Sequence, residues 1–172
     1  MTLYQRITGK NFKDLSPKIQ AMHLYEDSKV LRGSVEIKRG DALLVKVLSA
    51  LMRLPKTQSN APMTLEFTQQ EEKEVWARTF GTDKFSSIEY EHEGQMVEQM
   101  SLMKLYFDVS VKNGSLITSL SKIMLLGIKI PKIFTLNIKS KEEVIEDEIH
   151  FKVEVSLPKG EKVIEYFGLI RE

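Results

Sequence analysis

The stretch Ile149-His150-Phe151-Lys152-Val153-Glu154-Val155-Ser156-Leu157 alternates without a slip: every odd position is apolar and every even one polar or charged. A period of two sends successive side chains to opposite faces of a strand. The run therefore predicts a sheet with one dry face and one wet face.

Working outward, the same rhythm continues in both directions. Downstream, Pro158-Lys159-Gly160 turns the chain into Val163 to Ile170. There Val163, Phe167 and Leu169 oppose Ile164, Tyr166 and Ile170, so both faces are apolar and cover on both sides is expected. Upstream, an acidic turn is read over Glu142 to Glu148, preceded by alternation at Phe134, Leu136 and Ile138. Leu105, Phe107, Val109 and Val111 form another dry face, followed by Asn113-Gly114, whose tolerance of positive φ predicts a type I′ hairpin. Met63, Leu65 and Phe67 alternate again, and Val75 to Phe80, Phe85 to His92 and Met96 to Met100 read as further strands.

The first sixty residues carry the helical signals. Ser16-Pro17 offers an N-cap and a first-turn proline, with Ile19, Met22 and His23 on one side of a short helix. Lys29 to Lys38 reads as a strand with Leu31, Gly33, Val35 and Ile37 facing one way. Gly40-Asp41 opens an apolar helix to about Arg53, polar only along Lys46, Ser49 and Arg53. Such a helix is expected to be buried on most sides, or else to touch lipid or close a cavity. With no repeat, low-complexity tract or linker, residues 1–172 are expected to form a single domain. The expected fold is α+β and β-dominated: a strongly curved antiparallel sheet or barrel of about 8–10 strands, with two N-terminal helices packed on it.

Composition excludes more than it assigns. The chain has no cysteine, which removes disulfides, thiolate catalysis and Cys-based metal sites. Lys and Arg total 25 against 24 Asp and Glu, a net charge of +1 that lacks the basic excess of nucleic-acid binders. No secretory signal and no transmembrane stretch are read, so a cytoplasmic protein is expected. No cofactor or metal is expected either, because His23, His92 and His150 are scattered and no phosphate-binding or dinucleotide loop is present.

Two segments stand out. Lys122 to Lys141 mixes lysines with Ile123, Leu125, Leu126, Ile128, Ile133 and Phe134, and reads either as core strands with lysines on the wet face or as a surface for anionic lipid. In Trp76-Ala77-Arg78-Thr79-Phe80 the odd-looking feature is an arginine between two aromatics on one face. On a concave face Arg78 needs a carboxylate partner or awaits an anionic head group; on an outer face it is a cation–π partner of Trp76. Candidate ligand-binding residues are Arg78, Trp76 and Phe80, with Arg32, His23 and Tyr166. An enzyme would draw on His23, Arg32, Arg78 and a carboxylate that the sequence does not single out.

The ordered pieces Arg32-Gly33, Arg39-Gly40, Leu54-Pro55, Pro62, Trp76-Ala77-Arg78-Thr79-Phe80, Phe85-Ser86-Ser87, Leu126 to Pro131, His150-Phe151, Leu157-Pro158 and Tyr166-Phe167-Gly168 resemble the bacterial family known as domain of unknown function 4166. The resemblance covers nearly the whole chain. It implies a domain that stands alone or follows a saccharopine-dehydrogenase-like reductase, and it supplies no known activity or site residue. Lys129 departs from the smaller or apolar residue more familiar there. This chain starts at its own methionine without a reductase half, so an accessory role is expected to act in trans.

Three functions follow as expectations. The first is a binding module for an apolar, lipid-like or anionic small molecule. The second is an interaction or regulatory domain for a separate oxidoreductase. The third is a small-cavity enzyme without metal or cysteine, which requires at least two of its candidate residues to converge in one pocket.

Overall fold

A computed structural model describes residues 1–42, 45–46 and 54–171. Eleven strands are present among them: β1 (Ser28–Arg39), β2 (Gln58–Gln70), β3 (Lys73–Phe80), β4 (Asp83–His92), β5 (Gln95–Met100), β6 (Met103–Lys112), β7 (Ser115–Leu125), β8 (Ile128–Lys129), β9 (Asn137–Ile145), β10 (Glu148–Ser156) and β11 (Lys162–Arg171). All neighbours pair antiparallel, β1 through β7 in sequence, then β7 with β9, β9 with β10, β10 with β11 and β11 with β1. That circuit is a closed ten-stranded barrel with the two-residue β8 as an appendage. Closure removes the unpaired edges that an open sheet of this length would expose.

The period-two reading sets the inside and the outside. Leu31, Val35 and Ile37 of β1, Met63, Leu65 and Phe67 of β2, and Ile149 and Val155 of β10 are buried in the barrel. Between them on the outer face, Arg32, Lys38, Glu66, Lys139, Lys152 and Glu154 are exposed. This is the reverse of a membrane-spanning barrel, whose apolar residues face outward. No helix among the described residues is long and apolar enough to cross a membrane.

Hairpin turns define the two ends. The turn at Asn113 and Gly114 has φ of 51° and 78°, the left-handed pair that a type I′ connection requires. It lies at the same end as the N-terminal segment: Ser16 donates its backbone N–H to the Gly114 carbonyl, and Lys18 pairs with Asp147 in the β9–β10 turn. That segment comprises α1 (Leu3–Thr8), a 3-10 turn (Gly9–Asp14) and α2 (Pro17–Met22). Leu3, Tyr4, Phe12, Leu15, Ile19 and Met22 are buried, so the segment closes this end of the barrel with its apolar face inward. Ser16 and Pro17 begin α2 where the sequence places them; α1, not expected, opens on a capping box formed by Thr2 and Gln5.

Three local expectations change. The helix read over Gly40 to Arg53 falls mostly outside the described residues; Val45 is buried and Lys46 donates its N–H to the Ala42 carbonyl. The acidic turn is shorter than expected, because β9 runs to Ile145 and carries Glu142 and Glu143 within the strand. After β7 the chain leaves the barrel wall, and residues 126–134 form an exposed excursion rather than a core strand.

The seam between β1 and β11 is unusually close. A Cβ on Gly33 would sit 2.0 Å from the Leu169 carbonyl oxygen, and one on Gly168 would sit 2.0 Å from that of Ser34. Both contacts are with backbone, so no rotamer change relieves them. Gly168→Ala is expected to lower stability by about 1–3 kcal/mol, the usual cost of overpacking, in a urea melt.

Candidate functional site

The residues Glu74, Trp76, Arg78 and Phe80 alternate with Val75, Ala77 and Thr79 on β3 and share its inner face. Register then brings the inner residues of β4 and β5 beside them. Phe85 stands opposite Arg78, Ser87 opposite Trp76, Glu89 opposite Glu74, and Glu98 opposite Glu89. Diagonal neighbours on one face of a sheet lie within reach of long side chains. Arg78 uses that reach fully: Nη1 donates to Ser87 Oγ at 2.7 Å, while Nη2 lies 2.9 Å from Glu89 Oε1 and 3.2 Å from Glu98 Oε1. Its guanidinium also sits 5.0 Å from the centre of the Trp76 ring and 5.7 Å from that of Phe85.

The guanidinium is thus neither unpaired nor on the surface. Burial pulls its pKa down, but Glu98 and Glu89 outweigh that and raise it. Glu89 also shifts upward, which for a carboxyl favours the neutral form. Burial and the facing Glu98 push its carboxyl up, against the pull of Arg78, to about 8. Its second oxygen accepts a hydrogen bond from Tyr4 Oη at 3.3 Å. Tyr166, on the inner face of β11, is raised to about 12, chiefly by burial.

A second polar cluster lies toward the closed end. Fully buried His23, just after α2, places Nε2 2.8 Å from Glu142 Oε2 on β9. Its ring lies 4.1 Å from that of Tyr4, and Trp76 stacks on Phe67 at 4.1 Å. Glu74, also fully buried, accepts from the Leu3 backbone N–H at 2.7 Å and the Trp76 indole at 3.3 Å. The glutamate therefore fixes the start of α1 to the barrel wall.

Tyr4, Trp76 and Glu142 of this cluster, with Arg78, Glu89, Glu98 and Tyr166, border an internal cavity of about 170 Å³. Its apolar wall includes Phe80, Phe85, Met100 and Ile164; Arg78, Glu89, Glu98, Glu142 and Tyr166 supply its polar side. Among the described residues no set of three His, Asp or Glu side chains is arranged to hold a metal ion.

Of the six candidates, Trp76, Arg78, Phe80 and Tyr166 meet at the cavity, and His23 lies one ring behind it against Tyr4 and Trp76. Arg32 does not belong. It is exposed on the outer face of β1 because its inward-facing neighbours are Leu31 and Gly33. The carboxylates absent from that set, Glu74, Glu89, Glu98 and Glu142, are the main finding of the interior. The first three keep the inward phase of Trp76, Phe85 and Met96 in their own strands, a signal present in the alternation. Glu142 was masked by its reading as part of a turn.

The family model described as Domain of unknown function (DUF4166) matches residues 15–170. No curated protein matches the sequence. Among solved structures, a secretary abundant heat soluble (SAHS) protein from Ramazzottius varieornatus aligns with 83% of this chain and 92% of its own, at 10% identity and a TM-score of 0.44.

Proposed function

This chain belongs to the DUF4166 family, and we propose that it is a binding module for a compact, largely apolar molecule bearing a cationic or hydrogen-bond-donating group. The observation that carries the reading is the cavity: apolar on one side, with Glu89, Glu98 and Glu142 around the Arg78 guanidinium on the other and the exposed Lys141 and Lys152 at its border. An apolar enclosure with a few convergent polar groups is the usual form of a small-molecule site. Its size sets the ligand class. An engineered apolar cavity of about 150 Å³ accepts benzene, so about 170 Å³ suits one substituted ring and is small for an extended lipid chain.

The charge balance sets the head group. An anion drawn to Arg78 would meet a guanidinium already held by Glu89 and Glu98, while Lys141 and Lys152, which also border the cavity, have half-exposed side chains paired with Glu143, Glu154 and Glu165. An ammonium or other donor instead finds acceptors in Glu98 and Glu142. Three probes of matched size separate the possibilities: toluene, benzylamine and benzoate. Benzylamine is expected to raise the melting temperature most and benzoate least, with a bound adduct visible by native mass spectrometry. No shift with any probe, or the largest shift with benzoate, would sink the reading. Val153→Phe, which places a ring into the same cavity, is expected to weaken toluene and benzylamine binding at least tenfold while the barrel remains folded.

One observation favours an enzyme instead. A carboxyl with a pKa of about 8 beside a guanidinium is suited to moving a proton at neutral pH. Arg78 and a carboxylate converge in one pocket, as that reading requires. Exchange of the α-hydrogens of a bound cyclic ketone for deuterium, lost in Glu89→Gln, is its expected signature. A ketone that binds without exchange would count against it.

A further inference from the structure

The end of the barrel opposite the N-terminal segment carries a group of exposed apolar side chains. Leu126, Ile128, Ile133 and Phe134 are 67%, 71%, 73% and 71% exposed, and Leu102 on the β5–β6 turn and Leu125 at the end of β7 lie beside them. The backbone holds this group together. Leu126 donates its N–H to the Leu102 carbonyl, Leu125 pairs with Ile128, and Ile130 donates to the Ile123 carbonyl. A short 3-10 turn at Lys132–Phe134, closed by Phe134 N–H to the Pro131 carbonyl, presents Ile133 and Phe134. The excursion is therefore an ordered projection built to show apolar side chains.

Its charge is as distinctive as its polarity. From Val109 to Lys141 the chain has six lysines and no Asp or Glu, although the whole chain has a net charge of only +1. Lys129 and Lys132 flank the apolar residues and are exposed, and neither has an ion-pair partner among the described residues. Lys122 lies over the Tyr106 ring at 4.0 Å. We propose that this projection docks the barrel end-on to a bilayer containing anionic phospholipid, with Ile128, Ile133 and Phe134 entering the acyl boundary and Lys129 and Lys132 on the head groups.

The composition favours lipid over a protein partner. Protein interfaces are enriched in Tyr, Trp, Phe, Met and Arg and depleted in Lys, whereas this surface has Phe134 alone of the enriched types and is otherwise Leu, Ile and Lys. Apolar insertion combined with attraction to anionic head groups is the general basis of reversible surface binding. The docking does not depend on whether the cavity holds a ligand.

The test is co-sedimentation of the full chain with vesicles of phosphatidylcholine alone and of phosphatidylcholine mixed with phosphatidylglycerol. Binding is expected to the anionic vesicles, weakening with salt. Ile133→Asp combined with Phe134→Asp is expected to abolish it without changing the melting temperature, since both side chains are mostly exposed. Lys129→Gln with Lys132→Gln is expected to weaken it about twenty-fivefold, from about fivefold per neutralised lysine. Absence of binding to anionic vesicles would overturn the proposal. So would binding that survives the aspartate pair, because the projection would not then be the docking surface. A dimer that the aspartate pair dissociates, or capture of a protein partner through the same residues in place of vesicles, would assign the surface to protein and equally overturn it.

Discussion

Replacing Arg78 by alanine is expected to destabilise the barrel by about 3–5 kcal/mol, the cost of breaking a buried ion pair by removing one partner. The reason lies in what stays behind. Glu89 and Glu98 are directly opposite each other on β4 and β5, and Arg78 is the cation between them. Without it two carboxyl groups face each other in a region closed to solvent on the Glu89 side, and Glu89, which titrates near 8 with the guanidinium in place, loses the partner that pulls it down. Like charges directly across a ladder are unfavourable even at a surface. Protonation relieves them, so the loss in a denaturant melt is expected to be clearly larger at pH 8 than at pH 5. Arg78→Lys is expected to recover only part of it, because an ammonium cannot reproduce the fork that spans Ser87, Glu89 and Glu98. Removing the whole cluster, as Arg78→Met with Glu89→Leu and Glu98→Leu, is expected to restore most of the stability, as buried ionic groups replaced together often do. A variant Arg78→Ala within experimental error of the parent at pH 8 would show that these contacts contribute little.

The contrast between Arg78 and Arg32 shows how far the sequence could be read. Strand phase was legible wherever alternation was clean. Trp76, Arg78 and Phe80 face inward as a set, and Leu31, Gly33, Val35 and Ile37 do so on β1. The same phase places Arg32 outside, so its candidacy rested on type and not on position. Closure of the sheet was legible in outline, because many short alternating strands curl, but the β1–β11 pairing that completes the circuit is a long-range contact with no local signature. The same is true of the site. Glu89 and Glu98 look like ordinary strand glutamates until register sets them around Arg78, and His23 meets Glu142 across 119 residues. The Lys122 to Lys141 segment misled for a different reason. Apolar residues near a strand pattern read as core, yet between Leu126 and Phe134 two turns carry them off the wall and into solvent.

Glu89→Gln is expected to change the pH dependence of stability more than its stability at any single pH. Glu89 titrates near 8 in the folded barrel, driven up by burial and by Glu98, and near 4.5 as a free side chain. Folded molecules therefore hold a proton that unfolded ones release, and stability falls as pH rises between those two values. The stability tied to this group is fully present below the unfolded value and lost once pH passes the folded one. The total is several kcal/mol, at most about 5 at 1.36 kcal/mol per unit. Glutamine cannot ionise, keeps its amide oxygen as acceptor for Arg78 while its NH2 can donate to Tyr4 Oη, and removes that slope. The variant is expected to match the parent near pH 5 and to exceed it by several kcal/mol near pH 9 in urea melts. A ligand carries the same linkage. An ammonium held against Glu89 favours the carboxylate, so benzylamine binding near neutral pH is expected to release a proton, which calorimetry in buffers of different ionisation enthalpy detects. Toluene has no charge to offer and is expected to release none. Parallel pH profiles for parent and Glu89→Gln, with no proton released by either probe, would mean that Glu89 is ionised at neutral pH and that the acidic wall does not select the ligand.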